Sequence, residues 1–369
     1  MKAFLRNNFF PPFFIGLTAW GLVVLLFSND AVPDSYKDEA SVSEEKSIAS
    51  YHMEAEQGDV ESQYWLGYLY GVGEGVETDL VEAFKWTSLA AEQGHAKAQY
   101  NMAWFYDNGE VVSEDLSEAM RWLRLSADQG EVQAMHVLGY IYDVGEDVQE
   151  NNQEAVKWFR AAAELGYAKA QASLADMYQY GEGVVLDLQK ALEWNRRSAE
   201  QGNMYGQHNL SYMYMFGVGV SKDISEAFRL ATLSAEQGLS HAQYNLGLMY
   251  DTGDGVAEDN AEAVKWYLFA AEQGDVKAQV ALGQMYYDAE GVPHNLDESI
   301  RWYTSAAEQE DAEAMFQLGM IFGTDYDTSE ALQLAVFWMQ CAADNGHTRA
   351  KELVKDFPAS DRPKGWKDT

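Results

Sequence analysis

Cysteine is almost missing from this chain: Cys341 is the single one in 369 residues. That excludes an internal disulfide framework and any zinc site built from several cysteines. Positive charge is also scarce. With 25 Lys+Arg against 59 Asp+Glu the formal net charge is −34, so nucleic acid, whose phosphates would be repelled, is not an expected partner. The sequence holds no His-Glu-x-x-His and no phosphate loop, which removes the usual marks of zinc proteases and P-loop nucleotide enzymes. What is present is apolar material. At 47% hydrophobic and 13% aromatic residues the chain is too apolar for a disordered acidic tail, so most of it folds. Length alone suggests two or three domains, but an internal repeat overrides that estimate.

Residues 1–27 read as a membrane-targeting segment. Lys2 and Arg6 precede Phe9–Phe27, 19 residues without a charge, and Asp30 and Asp34 follow. Basic, then apolar, then acidic is the order of a signal peptide or an uncleaved signal anchor. At about 1.5 Å rise per residue the stretch covers most of a ~30 Å hydrocarbon core. Asn29 also spoils the best cleavage site, after Ala31. Both points favour an anchor. Pro11-Pro12 shortens the continuous helix to Phe13–Phe27, which favours a cleaved peptide. A buried core helix is the third reading. No cysteine follows the apolar stretch, so lipoprotein processing is excluded. Residues 28–42 are polar and acidic and read as a flexible linker.

From residue 59 onward the chain repeats every 36 residues. Trp86, Trp122, Trp158, Trp194, Trp266, Trp302 and Trp338 fall on one grid, interrupted by Leu230. Gly94, Gly130, Gly166, Gly202, Gly238, Gly274 and Gly346 fall on another, with Glu310 as the exception. Tyr70, Tyr106, Tyr142, Tyr178, Tyr214, Tyr250 and Tyr286, then Phe322, make a third. The units are 59–94, 95–130, 131–166, 167–202, 203–238, 239–274, 275–310 and 311–346, without an insertion.

Each unit reads as two helices. In Glu61–Tyr70 apolar or small residues follow a helical period. The glycines of Gly71–Gly75 permit a left-handed turn out of the helix. A second helix opens at Asp79. Asp79/Glu82, Asp115/Glu118, Asn151/Glu154, Asp223/Glu226, Asp259/Glu262 and Asn295/Glu298 have capping-box spacing. Ala-Glu-Gln-Gly closes the second helix. Position 67 and its equivalents are small in every unit, so helices can approach closely. The Trp and Tyr columns fill the space between, which makes them core. One unit alone cannot bury such a surface, so neighbours must stack. Residues 43–58 align as a capping second helix with Ser43 at its N-cap. Residues 347–357 align as a polar capping first helix, and 358–369 is a tail.

The pattern Ala-x-Ala-Gln-x-x-Leu-Gly-x-x-Tyr-x-x-Gly-x-Gly-Val-x-x-Asp-x-x-x-Ala-x-x-Trp resembles the Sel-1-like repeat, a relative of the tetratricopeptide repeat. Ala242–Tyr250, Gly253–Val256, Asp259, Ala263 and Trp266 write it out. The eighth unit departs at Asp325–Thr328 and Ala331, which puts its loop in doubt. The resemblance implies an all-α fold, a right-handed superhelical α/α solenoid. It also implies an adaptor for other proteins, in bacteria often in the envelope.

In such a solenoid the first helix of each unit lines the concave side. Positions 65, 68 and 72, with their equivalents, share one helix face. The residues expected to touch a partner are Trp65, Tyr68, Asn101, Trp104, Tyr140, Tyr180, Asn209, Tyr212, Phe216 and Asn245. Aromatics anchor interfaces, and an amide can both donate to and accept from a peptide backbone. The same aromatics could instead pack on the neighbouring helix. The acidic repeats would favour a basic partner segment, or the charge serves solubility alone.

No catalytic or metal set emerges. His52, His95, His136, His208, His241, His294 and His347 are scattered, Asp251–Gly255 lacks a calcium loop's spacing, and Cys341 reads as a small core residue. No cofactor is expected. The sequence predicts a non-catalytic, exported scaffold that binds a partner polypeptide. It would be anchored in a bacterial inner membrane with its repeats in the periplasm, or cleaved and soluble there. An endoplasmic-reticulum location, which the family resemblance allows, is the eukaryotic counterpart. A glycan or cell-wall binder using the same aromatics is the alternative, and an enzyme the remote one. The partner's identity, the pathway and the oligomeric state are not written in the sequence.

Overall fold

The computed structural model describes residues 46–356, except 146–149 and 327. The apolar segment 1–27, the linker 28–42, Ser43 and the tail 358–369 lie outside the described residues. Among the described residues every regular element is a helix. Two compact units, Met1–Gln201 and Gly202–Thr369, divide the chain.

The first unit holds α1 (Ile48–Glu56), α2 (Val60–Val72), α3 (Leu80–Glu92), α4 (Ala96–Asn108), α5 (Leu116–Ala127), α6 (Val132–Val144), α7 (Asn152–Glu164), α8 (Ala168–Tyr180) and α9 (Leu188–Glu200). The second holds α10 (Met204–Phe216), α11 (Ile224–Glu236), α12 (Ser240–Thr252), α13 (Asn260–Glu272), α14 (Val276–Asp288), α15 (Leu296–Glu308), α16 (Ala312–Thr324), α17 (Ser329–Asp344), α18 (Thr348–Leu353) and a closing 3-10 turn, Val354–Asp356. Even-numbered helices are the first of each repeat (helix A) and odd-numbered ones the second (helix B). Within each unit a helix packs on the one before it and the one after it, as a solenoid requires.

Helix starts follow side-chain chemistry. Asp79, Asp115, Asn151, Asp223, Asp259 and Asn295 each accept the backbone N–H three residues on, at 3.0–3.2 Å. The other half of the expected capping box is absent. The cap residue's own N–H goes to a tyrosine carbonyl at the end of helix A, as in Asp79 to Tyr70 at 2.9 Å. The glutamates instead hold a cation three residues on, as in Glu226–Arg229 at 2.7 Å and Glu298–Arg301 at 3.0 Å. Tying the cap to the tyrosine carbonyl fixes the loop between the two helices. The N-terminal helix departs too. It starts at Ile48 with Ser47 as cap, later than the repeat register's Ser43.

The small column is a size match in every repeat but the first, where Gly67 faces the small Thr87. Gly139 lies against Phe159, Gly247 against Tyr267, Gly283 against Tyr303 and Gly319 against Met339. Where the column carries Ala103, Ala175 or Ser211, the register partners are the smaller Leu123, Asn195 and Ala231. Close packing of this kind leaves little tolerance for an added carbon.

A ladder of buried amides joins neighbouring repeats. Gln63, Gln99 and Gln171 donate to the carbonyls of Ala55, Ala91 and Ala163 on the preceding helix B, at 3.1–3.2 Å. Each also accepts from the glutamine that ends its own repeat's helix B: Gln93, Gln129 and Gln201, at 2.7–2.8 Å. In the second unit Gln237/Gln207, Gln273/Gln243 and Gln309/Gln279 repeat the pair, at 2.7–2.9 Å. Where Met135 replaces the first glutamine, Leu165 replaces the second. The two positions change together, as partners should.

Helix A ends on a left-handed residue. It is glycine in the first six repeats but Ala289 in the seventh, at φ 62°. Helix B of that repeat closes through Glu310 at φ 67°, where the other repeats use glycine. An L-residue there is disfavoured by roughly 1–2 kcal/mol. Ala289→Gly should therefore raise stability by about 1 kcal/mol, less the greater freedom glycine gives the unfolded chain. Gly109→Ala should lower it, since the added carbon meets nothing closer than 3.5 Å and backbone strain alone acts. Urea midpoints followed by circular dichroism read both. In the eighth repeat Asp325 ends α16 at φ −98°, so that loop leaves the common geometry.

Candidate functional site

The expected face divides into packed and open residues. In the first unit Trp65 is half-buried. Its Nε1–H donates to Glu61 at 2.9 Å, and its ring stands edge-on to Tyr64 and Tyr68. Tyr68, Asn101 and Trp104 are buried, at 6%, 0% and 3% exposure. These three cannot touch a partner in this arrangement. A stripe at i, i+3 and i+7 is shared between groove and packing, and here packing takes it. Tyr140 is half-buried and Tyr180 is exposed. The amide of Gln179 donates to the Tyr180 hydroxyl at 3.0 Å.

In the second unit the face is open. On α10, Phe216 is 61% exposed and Tyr205 39%. Asn209 and Tyr212 lie between them, half-buried. The Tyr212 and Phe216 rings are tilted together, with centroids 4.7 Å apart. Asn245 occupies the equivalent position on α12 and is also half-buried. Tyr205 was not among the sequence-derived residues. Its place one turn before Asn209, on the same face, is the signal that could have found it.

A polar patch flanks this row. Asp275 caps α14 by accepting the Ala278 N–H at 2.9 Å, and its other oxygen meets His241 Nδ1 at 2.8 Å. His208 on α10 has its pKa pushed down to about 4, by burial first and then by His241. Unfolded histidine binds its proton near 6.5. Below that value the unfolded chain gains a proton that the folded chain refuses until about pH 4. This contribution to stability is therefore whole above about pH 6.5 and falls as the pH drops towards 4. His208→Phe, which copies Phe316 of the eighth repeat, should flatten the fall, as urea midpoints at pH 7.5 and 5 would show.

Three other histidines are structural. His95 and His347 cap α4 and α18 through Nδ1, each at 3.1 Å from a backbone nitrogen. His136 has its pKa lowered to about 3, by burial first and then by Lys169. Asp143 moves the other way, up to about 7, through burial and then Glu182 and Glu150. The Cys341 thiol is half-buried and pushed up to about 11 by burial and then Asp344, so it is a poor nucleophile. Among the described residues no group of three or more His, Cys, Asp or Glu side chains could hold a metal ion. None of their helices is long and apolar enough to cross a membrane.

These paired helices, with their glycine turns and cap-to-tyrosine bonds, match one known pattern. The Sel1 repeat is found at residues 60–95, 96–131, 132–167, 168–203, 205–239, 240–275, 276–311 and 312–347. The chain belongs to the Sel1 repeat family. A Sel1 repeat protein from Oxalobacter formigenes is similar at 30% identity, with 87% of this chain and 100% of that one covered and a TM-score of 0.64. The protein c5321, a protective antigen of uropathogenic Escherichia coli strains, shares 34% identity over 84% of this chain and 74% of its own, with a TM-score of 0.45. The immunity protein Pa5087 from Pseudomonas aeruginosa is 21% identical, covers 62% of this chain and 88% of its own, and has a TM-score of 0.39. No curated protein matches the chain. The open row on α10 is therefore carried by helix A of the fifth Sel1 repeat.

Proposed function

We propose that this Sel1 repeat protein is a non-catalytic scaffold that binds a partner polypeptide on its helix A face. The reading rests on one observation above all: Tyr205, Asn209, Tyr212 and Phe216 form an accessible aromatic and amide row on α10. A lone exposed ring is ordinary, but here Phe216 is paired with Tyr212 and continued by Tyr205 on one helix face. Aromatic anchors supply contact area, and an amide such as Asn245 can both donate to and accept from a peptide backbone. Sel1 repeat proteins are often protein-interaction scaffolds, which agrees with this use. The uncharged stretch Phe9–Phe27 behind Lys2 and Arg6 supports export with a membrane tether, which would place the repeats in an envelope compartment.

The test is capture of partner proteins by the full chain from detergent-solubilised envelope. Tyr205→Ser with Phe216→Ser removes two exposed rings and should cut capture at least tenfold without changing helical content. Phe269→Ser removes an equally exposed ring from helix B of the sixth repeat, at 52% exposure, and should leave capture intact. Equal loss in both, or in neither, rejects the proposed face.

A further inference from the structure

Aromatic rings, then carboxylates that hold no cation, stand at the ends of successive A helices in the second unit. Phe216 ends α10 there with Tyr212 behind it. In the next two A helices the last turn carries Asp251 and Asp288, and Asp254 follows in the loop after α12. Asp254 and Asp288 are exposed and Asp251 is half-buried. Their recorded partners are neutral. Asp251 accepts from the Tyr267 hydroxyl at 3.3 Å, Asp254 from the Thr252 hydroxyl at 3.2 Å and Asp288 from the Gln284 amide. The first-turn acids of the B helices differ: Glu226, Glu262 and Glu298 each hold a lysine or arginine.

Beyond these neutral hydrogen bonds, the charge of the carboxylates does not favour their own helices. A helix C-terminus carries partial negative charge, so an aspartate in the last turn is destabilising, by about 0.3–1 kcal/mol. No basic residue stands in the last turn of α10, α12, α14 or α16 to offset it. An extended chain crossing the ends of successive A helices would meet these carboxylates in turn. A cation beside an aromatic face gains a further ~0.5–1 kcal/mol.

We propose that this row of A-helix ends binds an extended polypeptide segment in which lysine or arginine stands beside aromatic or aliphatic residues. The cations lie on Asp251, Asp254 and Asp288, and the apolar side chains on Tyr212 and Phe216. The inference rests on the protein-binding reading above and adds the chemistry of the bound segment.

The probe is a phage-displayed library of random twelve-residue peptides, selected on the full chain and remeasured by fluorescence anisotropy. Enriched peptides should carry two or more Lys or Arg and at least one Leu, Phe, Tyr or Trp. Phe216→Ser should weaken them at least tenfold. Asp251→Asn, Asp254→Asn and Asp288→Asn together should do the same and flatten the salt dependence. Glu236→Gln, Glu272→Gln and Glu308→Gln remove equal charge at the ends of B helices and should have little effect. An equal loss in that control would mean a general acidic field and overturn the proposal. Enriched peptides without basic residues that still depend on Phe216 would also overturn it, and would leave the binding face standing. Failure to enrich any peptide counts against this inference, whereas the capture experiment decides the binding face independently.

Discussion

Gly247→Ala is expected to destabilise the sixth repeat by about 1–3 kcal/mol, although alanine is the better helix former by nearly 1 kcal/mol. The new carbon would stand 2.7 Å from Tyr267 Cδ1, 2.8 Å from Cε1 and 3.2 Å from the Ala263 carbonyl oxygen. Tyr267 is 1% exposed and fixed between helices, so it cannot swing clear as a surface chain would. The second repeat carries the compatible combination, Ala103 with Leu123. Tyr267→Leu alone loses ring burial and its hydroxyl bond to Asp251, and so lowers stability too. Combined with Gly247→Ala it should cost less than the sum of the two, by 1 kcal/mol or more on the scale typical of contacting residues. Urea unfolding of the four chains measures that difference. Strict additivity would show that the glycine is not there to make room for the ring.

Gln243→Met should cost about 0.5–1.5 kcal/mol, because it removes a buried amide donor from the Ala235 carbonyl, which then keeps only the backbone N–H donors of its own helix end, such as Gly238 at 3.0 Å. Gln243 sits at 6% exposure and Ala235 at 1%, so water is a poor substitute for the lost amide. Its own acceptor, offered to Gln273 at 2.7 Å, is lost as well. Gln273→Leu alone takes the donor from the buried Gln243 oxygen and should cost about 1 kcal/mol or more. The double variant recreates the Met135/Leu165 pair of the third repeat and should recover part of the loss. A full additive loss would contradict the reading that these amides stitch one repeat to the next. Repeat arrays can unfold unevenly, so exchange protection of α12 and α13 amides is the sharper readout.

The solenoid was legible because its cause is periodic. Trp, Gly and Tyr columns at one spacing fix the helix pair, its turn and its stop without knowledge of the contacts. The partners of those columns were less legible. The small column was visible, but the exchange of glycine for alanine opposite Tyr267, Tyr303 or Leu123 needs the facing helix. The glutamines of Ala-Glu-Gln-Gly carry no mark of a partner in the sequence, and only the geometry shows Gln273 reaching Gln243. The capping boxes misled for a related reason. The cap's N–H had a nearer acceptor in the tyrosine carbonyl, a bond between two helices that local spacing does not encode. The face divided in the same way. Trp104 and Tyr212 share a repeat position, yet one is sealed by its neighbours and the other reaches solvent. A helical stripe is the same pattern in both cases.

The most direct measurement is photo-crosslinking in cells, with the crosslinking residue placed at Phe216 in one chain and at Phe269 in another. The account predicts a discrete, protease-sensitive adduct at Phe216 and none at Phe269. Crosslinked material that resists protease would turn the face over to glycan. The same protein adducts at both positions, or none at either in a folded chain at normal level, would contradict the claim that helix A of the fifth repeat is where this protein meets its partner.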